Sequence, residues 1–242
     1  MTLLAIILGL LPGFAWIVFY LKEDLHPEPR KLIIYVFTAG ILVTLVAYLA
    51  QCLSFTNLFP FKSCNVSLDR AVGSLSLIQG IIMVTLLAFI EEVLKFGAAY
   101  LAVHRNANFD EPVDAMIYMV VAALGFATVE NFAIAQQILS QDAWSNIGGL
   151  GSALKAISLR FVGATLLHAL ASGIVGYYWA QSIRRFEAKR YLFTGIIIAT
   201  VLHALFNYLI ITFDDRIYTV VILVAVGFLV IADFEKLKTR SL

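Results

Sequence analysis

Seven apolar runs, each close to bilayer length, divide this chain at residues 3–21, 32–53, 75–103, 113–139, 157–183, 192–213 and 217–234. About 20 apolar residues carry a helix across a hydrocarbon core of about 30 Å. In lipid only helices and closed barrels satisfy their own backbone polar groups. The runs show no alternation of apolar and polar residues, so a barrel is excluded. The expected fold is an all-α polytopic membrane bundle of about seven transmembrane helices, one transmembrane domain over residues 1–242 without a soluble domain, in the cell membrane. Composition agrees: 61% of residues are hydrophobic and 14% charged, against about 45–50% and about 25% in soluble domains. A net charge of +1 argues against nucleic acid as a partner. The N-terminus lacks a basic n-region and a small-residue cleavage site, so it reads as a first span and not as a signal peptide.

Lysine and arginine in the connecting segments set an orientation. One side holds eleven: Lys22, Arg30 and Lys31; Arg105; Arg184, Arg185, Lys189 and Arg190; Lys236, Lys238 and Arg240. The other holds five: Lys62, Arg70, Lys155, Arg160 and Arg216. The N-terminus is therefore expected outside and the C-terminus in the cytoplasm. Cys52 and Cys64 fall together on the outer side, either as a disulfide or as two thiols, in both cases structural. The segment His26-Pro27-Glu28-Pro29-Arg30 is expected to be extended and rigid. Residues 141–156, with Gly148, Gly149 and Gly151, read as a loop, either a lid or a plain connector.

The third run contradicts its own setting. Residues 86–100, LLAFIEEVLKFGAAY, carry Glu91, Glu92 and Lys95 in an otherwise apolar stretch. Each such charge at mid-bilayer costs about 2.5–3.5 kcal/mol, so the three must meet partners, water or a metal inside the protein. Helical spacing projects Lys95 between the two glutamates, one turn nearer the cytoplasm. Two adjacent carboxylates in low dielectric repel, a setting suited to general acid–base work. A Glu92–Lys95 packing pair explains two of the three charges and leaves the other glutamate unaccounted for.

Further polar groups lie at similar depth. The fourth run holds Glu130 and Asn131, with Phe126 on the face of Glu130. Asn131 is placed to donate to an oxyanion or to make an interhelical hydrogen bond. His168 in the fifth run shares its face with Ala164, Thr165, Ala171 and Ser172. His203 in the sixth shares its face with Ala199 and Asn207. Glu91, Glu92, Glu130, His168 and His203 thus come from four helices, near the membrane centre or slightly outside it. Such a set activates a water directly or through a divalent metal such as zinc, for which Glu91, Glu130, His168 and His203 are candidate ligands. No HExxH or other compact ligand spacing decides between the two.

At these residues the chain resembles the PrsW family of intramembrane proteases, within a wider group that includes the Rce-type CAAX-processing endopeptidases and the Aph-1 subunit of γ-secretase. Glu91-Glu92-Val93-Leu94-Lys95 matches the EExxK motif and Phe126 to Asn131 the FxxxEN motif. His168 and His203-Ala204-Leu205-Phe206-Asn207 match the later histidine motifs, and the proline-rich segment after the first span is also similar. The resemblance implies cleavage of a membrane-anchored protein, such as an anti-sigma factor, at or near the bilayer. It implies catalytic roles for Glu91, Glu92, Glu130, His168 and His203, with Lys95, Phe126, Asn131 and Asn207 in support. Members are classed both as metalloproteases and as glutamate-type proteases, so the metal stays open.

The leading expectation is an intramembrane endopeptidase in which Glu91 or Glu92 activates water. His168 and His203 then position that water, stabilise the oxyanion or bind a metal. A non-catalytic Aph-1-like scaffold is the alternative, and an ion or proton transporter a third, for which Gly125 would mark a helix break. The sequence leaves the substrate and the oligomeric state unspecified.

Overall fold

The computed structural model of the chain describes residues 2–24, 26–63, 67–141, 148–184, 188–213 and 217–238. Among these residues there are nine α-helices and no strand. They are α1 Thr2–Tyr20, α2 Arg30–Leu58, α3 Leu68–Ser74, α4 Leu77–Val103, α5 Pro112–Gln141, α6 Gly148–Val162, α7 Ala164–Arg184, α8 Ala188–Thr212 and α9 Ile217–Lys238. Seven stretches are long and apolar enough to cross a membrane, the fifth made of α6 and α7 together. Outward-facing Leu45, Leu101 and Phe228 are 62–73% exposed. Large apolar side chains held open in this way suit a lipid surround.

Helix α5 is the axis of the bundle. From Ala115 to Leu124 its side chains are buried all round, the pattern of a helix enclosed by others. Two glycines let α2 cross it in backbone contact. A Cβ at Gly40 would lie 2.0 Å from the Ala122 carbonyl oxygen, and one at Gly125 would lie 2.1 Å from that of Phe37. Gly125 therefore marks a close approach, and α5 runs through it unbroken, without the break that the transporter alternative would place there. Small residues permit such contacts between membrane helices.

Helix starts carry local signals. Ser76 accepts from the Gln79 amide while the Gln79 side chain accepts from the Ser76 amide, a capping box that starts α4 at Leu77. Pro112 opens α5, where a missing N–H costs nothing. Asp114 then accepts from the amides of Asp110 and Glu111 at 3.0 and 2.8 Å.

Two sequence expectations change. Residues 148–156 are not loop, because α6 already begins at Gly148. Gly149, Ala153 and Ile157 share its buried face, and the last two pack with Ala5, Leu8 and Leu139. The glycines fall in its first turn, and Ala, Leu and Lys carry the helix onward. The expected fifth span at 157–183 is instead two helices that meet at Gly163. A short helix, α3, also precedes α4. Residues 142–147, Cys64, Arg185, Arg216 and Arg240 lie outside the described residues. Cys52 is disulfide-bonded.

After α1 a single 3-10 turn, Leu21–Glu23, is followed by Asp24 with an extended backbone, and residues 26–29 carry no helix before α2 and are clamped. Asp24 accepts from the amides of His26 and Glu28 at 3.0 and 3.1 Å. Glu28 accepts from the Tyr118 hydroxyl of α5, and His26 pairs with Glu111.

Candidate active site

Lys95 is fully buried and reaches both glutamates of α4. Its Nζ lies 2.8 Å from Glu92 Oε1 and 3.4 Å from Glu91 Oε2, with His168 Nδ1 of α7 at 2.7 Å. The ammonium also sits 4.6 Å from the centre of the Phe126 ring, an additional cation–π contact. Four neighbours thus accept the charge that an isolated lysine could not keep in lipid.

The two glutamates differ in setting. Glu92 is wholly enclosed. It accepts from Lys95, from Ser172 Oγ at 3.1 Å and, through Oε1, contacts His203 Nδ1 of α8 at 2.9 Å. Glu91 faces a cavity of about 330 Å³, whose wall also carries Glu130, His168, His203, Asn207 and Arg160. Its Oε1 accepts from Gln51 Nε2 of α2 at 2.9 Å, and its Oε2 lies 3.7 Å from His203 Nε2.

A second set of contacts fixes the other wall. Arg160 of α6 donates through Nη2 to Glu130 Oε2 at 2.9 Å and through Nε to Asn131 Oδ1. The same Glu130 oxygen is 3.0 Å from His168 Nε2. Asn131 Nδ2 donates to Thr165 Oγ1 at 3.0 Å, tying α5 to α7. The two imidazoles meet edge to face, with centroids 5.1 Å apart.

The five expected acidic and imidazole residues are therefore brought together from α4, α5, α7 and α8. Lys95 and Phe126 stand beside them. Asn207 lines the cavity, while Asn131 makes an interhelical hydrogen bond. The sequence reading missed two contributors. Arg160 was counted among the outer loop charges although it falls inside the run drawn from 157, and that position was its signal. Gln51 gave none beyond being a polar residue near the end of an apolar run.

The donor set suits a divalent metal. Glu91, His168 and His203 each offer one ligand atom, and these atoms lie within 4.8 Å of one another. Two imidazoles and a carboxylate are a zinc donor set known to leave a position open for chemistry. Glu92 against His203 Nδ1 is the carboxylate–imidazole support that orients a ligating ring. Glu130 stands outside this trio, engaged by Arg160. Both nitrogens of His168 are also engaged, so that ring must give up Lys95 or Glu130 to take a ligand role.

A bundle of bilayer-length helices around an internal acid–imidazole cavity defines a polytopic membrane protein with a polar centre among its spans. Residues 28–232 match the model of the PrsW family of intramembrane metalloproteases, and the chain belongs to that family. It is 24% identical over 205 residues to the "Protease PrsW" of Geobacillus kaustophilus strain HTA426, covering 84% of this chain and 77% of the relative. To that of Bacillus subtilis strain 168 it is 26% identical over 218 residues, 87% of this chain and 84% of the relative. To that of Clostridioides difficile strain 630 it is 28% identical over 214 residues, 86% and 78%. No solved structure matches. The protein is thus a multi-pass intramembrane protease, and the scaffold and transporter alternatives give way.

Proposed function

We propose that the chain hydrolyses a peptide bond of a membrane-anchored, single-span protein of the anti-sigma-factor kind, with Glu91 as the carboxylate at the reacting carbonyl. The convergence of Glu91, His168 and His203 within 4.8 Å carries this reading, together with the cavity they share with Asn207. With Glu92 ionised, His203 Nδ1–H donates to it and Nε2 presents a lone pair. That lone pair and Glu91 Oε2, 3.7 Å apart, bracket a water. The water oxygen attacks the carbonyl carbon while Glu91 takes its proton. The Asn207 amide faces the same space and is placed to donate to the oxyanion. Glu91 then returns the proton to the amide nitrogen as the C–N bond breaks. A divalent metal such as zinc, held by Glu91, His168 and His203, would supply Lewis acidity at the carbonyl, with Glu130 then taking the proton.

Charge placement supports an outside N-terminus and a cytoplasmic C-terminus. Arg160 is bound to Glu130 and Asn131 in the bundle, so it leaves the outer tally and the bias widens.

The test maps new N-termini among single-span proteins in membranes that contain the wild type or Glu91→Gln. Fragments confined to the wild type are expected. The same fragments in both samples would reject the reading.

A further inference from the structure

Glu91 stands where two cavities meet. The first is the catalytic cavity. The second, of about 200 Å³, lies among α2, α3, α4 and α8 and shares Glu91, Leu68 and Asn207 with the first. A third, of about 290 Å³, adjoins the catalytic cavity, with Ile134, Arg160 and Ala164 common to both. Through these shared walls the three adjoin one another, a trough in three compartments.

The two ends of the trough differ chemically. Near Glu91 the second cavity offers Tyr48, Gln51 and Asn207 among its walls. The third is walled by Leu159, Val162, Phe206, Ile210, Val220 and Leu223. It runs beside Gly163, where α6 passes into α7, and α9 forms its outer side. Arg160 lines both this chamber and the catalytic cavity, and its charge is already matched by Glu130. It therefore demands no anion from an occupant.

A peptide bond in an intact helix has its carbonyl hydrogen-bonded and its approach crowded. Water reaches it only after local unwinding, and an extended strand then advances about 3.3 Å per residue. Such a strand needs room on both sides of the scissile bond. We infer that this trough seats the unwound strand of the substrate, and that the α6–α8–α9 chamber takes an aliphatic or aromatic side chain next to the scissile bond. The wall that the chamber shares with the catalytic cavity selects the substrate as occupant over a lipid chain. The inference rests on the proposed protease reading, and its capture arm reads peptide occupancy apart from cleavage.

Two measurements test it. Benzoylphenylalanine is placed at Val220 on the chamber wall, or at Leu45 on the lipid-facing side of α2, in the Glu91→Gln protein. The probe is a synthetic lysine-flanked Leu-Ala span peptide with a central Gly-Gly pair, reconstituted in phosphatidylcholine vesicles. Peptide capture at Val220 at least fivefold above Leu45 is expected. Equal capture at both sites, or capture of lipid alone at Val220, overturns the inference. Capture needs no cleavage, so a positive result beside an inactive wild type would sink the hydrolase reading and leave only peptide binding in the chamber.

The kinetic arm uses Ile210→Trp, which fills the chamber, and the single-span protein whose fragment is lost in Glu91→Gln. KM is expected to rise at least tenfold with kcat little changed. Alanine in place of the large apolar residue beside the scissile bond should restore cleavage. An unchanged KM, or a fall in kcat alone, overturns the inference.

Discussion

His203 Nδ1 lies 2.9 Å from Glu92 Oε1, so the enclosed glutamate of the pair holds the imidazole whose other nitrogen faces Glu91. The two neighbours in sequence thus divide the work. Glu92 binds Lys95, Ser172 and His203 inside the bundle, while Glu91 faces the cavity.

That division separates the two substitutions. Glu92→Gln removes a charge from a buried pair and leaves Lys95 undercompensated, a change that costs about 3–5 kcal/mol. It should lower the thermal midpoint in detergent by well over the effect of Glu91→Gln, whose carboxylate borders open space. Equal midpoints for the two variants would contradict the assignment.

Gln51 donates to Glu91 Oε1 and turns Oε2 toward His203. Loss of such an orienting partner typically lowers activity about 10–100-fold. Gln51→Ala should therefore reduce kcat by about tenfold or more with KM little changed, and without lowering the thermal midpoint appreciably. A change confined to KM would place Gln51 in substrate binding instead.

The clamp between α1 and α2 gives a pH dependence. Burial pushes the Glu28 carboxyl above its ordinary value of 4.5, although donation from Tyr118 pulls it down. Burial likewise raises Asp24, against the lowering effect of the His26 and Glu28 amides. A raised acid binds more protons folded than unfolded, so its contribution falls as pH climbs from about 4.5 toward the raised value and is level beyond. Exchange of the Glu28 amide, relative to its intrinsic base-catalysed rate, should accelerate across that window in the wild type. In Glu28→Gln, which can still accept from Tyr118, the acceleration should shrink. Identical profiles would show that Glu28 does not set the clamp.

The sequence makes the spans and the polar cluster legible for one physical reason. Charges and imidazoles inside apolar runs have few solutions other than one another. Contacts between distant elements are less visible. Gln51 and Glu91 are joined where α2 packs against α4, and Gly125, where α2 crosses α5 closely, is by itself only a weak sign of a break. Arg160 looks like a loop charge until α6 is seen to carry it inward to Glu130. The glycines of residues 148–151 suggest loop, yet they occupy the first turn of a helix whose buried face is Ala153 and Ile157. Which glutamate faces the cavity is also beyond the sequence, since Glu91 and Glu92 are adjacent and Lys95 reaches both.

The account turns on Glu91 as the carboxylate of the reacting centre. The most direct measurement is the cleavage rate of a verified single-span substrate by purified Glu91→Gln in proteoliposomes, read beside its thermal midpoint. The expected result is a rate at least a thousandfold below wild type in a protein that still melts cooperatively. Wild-type cleavage by folded Glu91→Gln would contradict it.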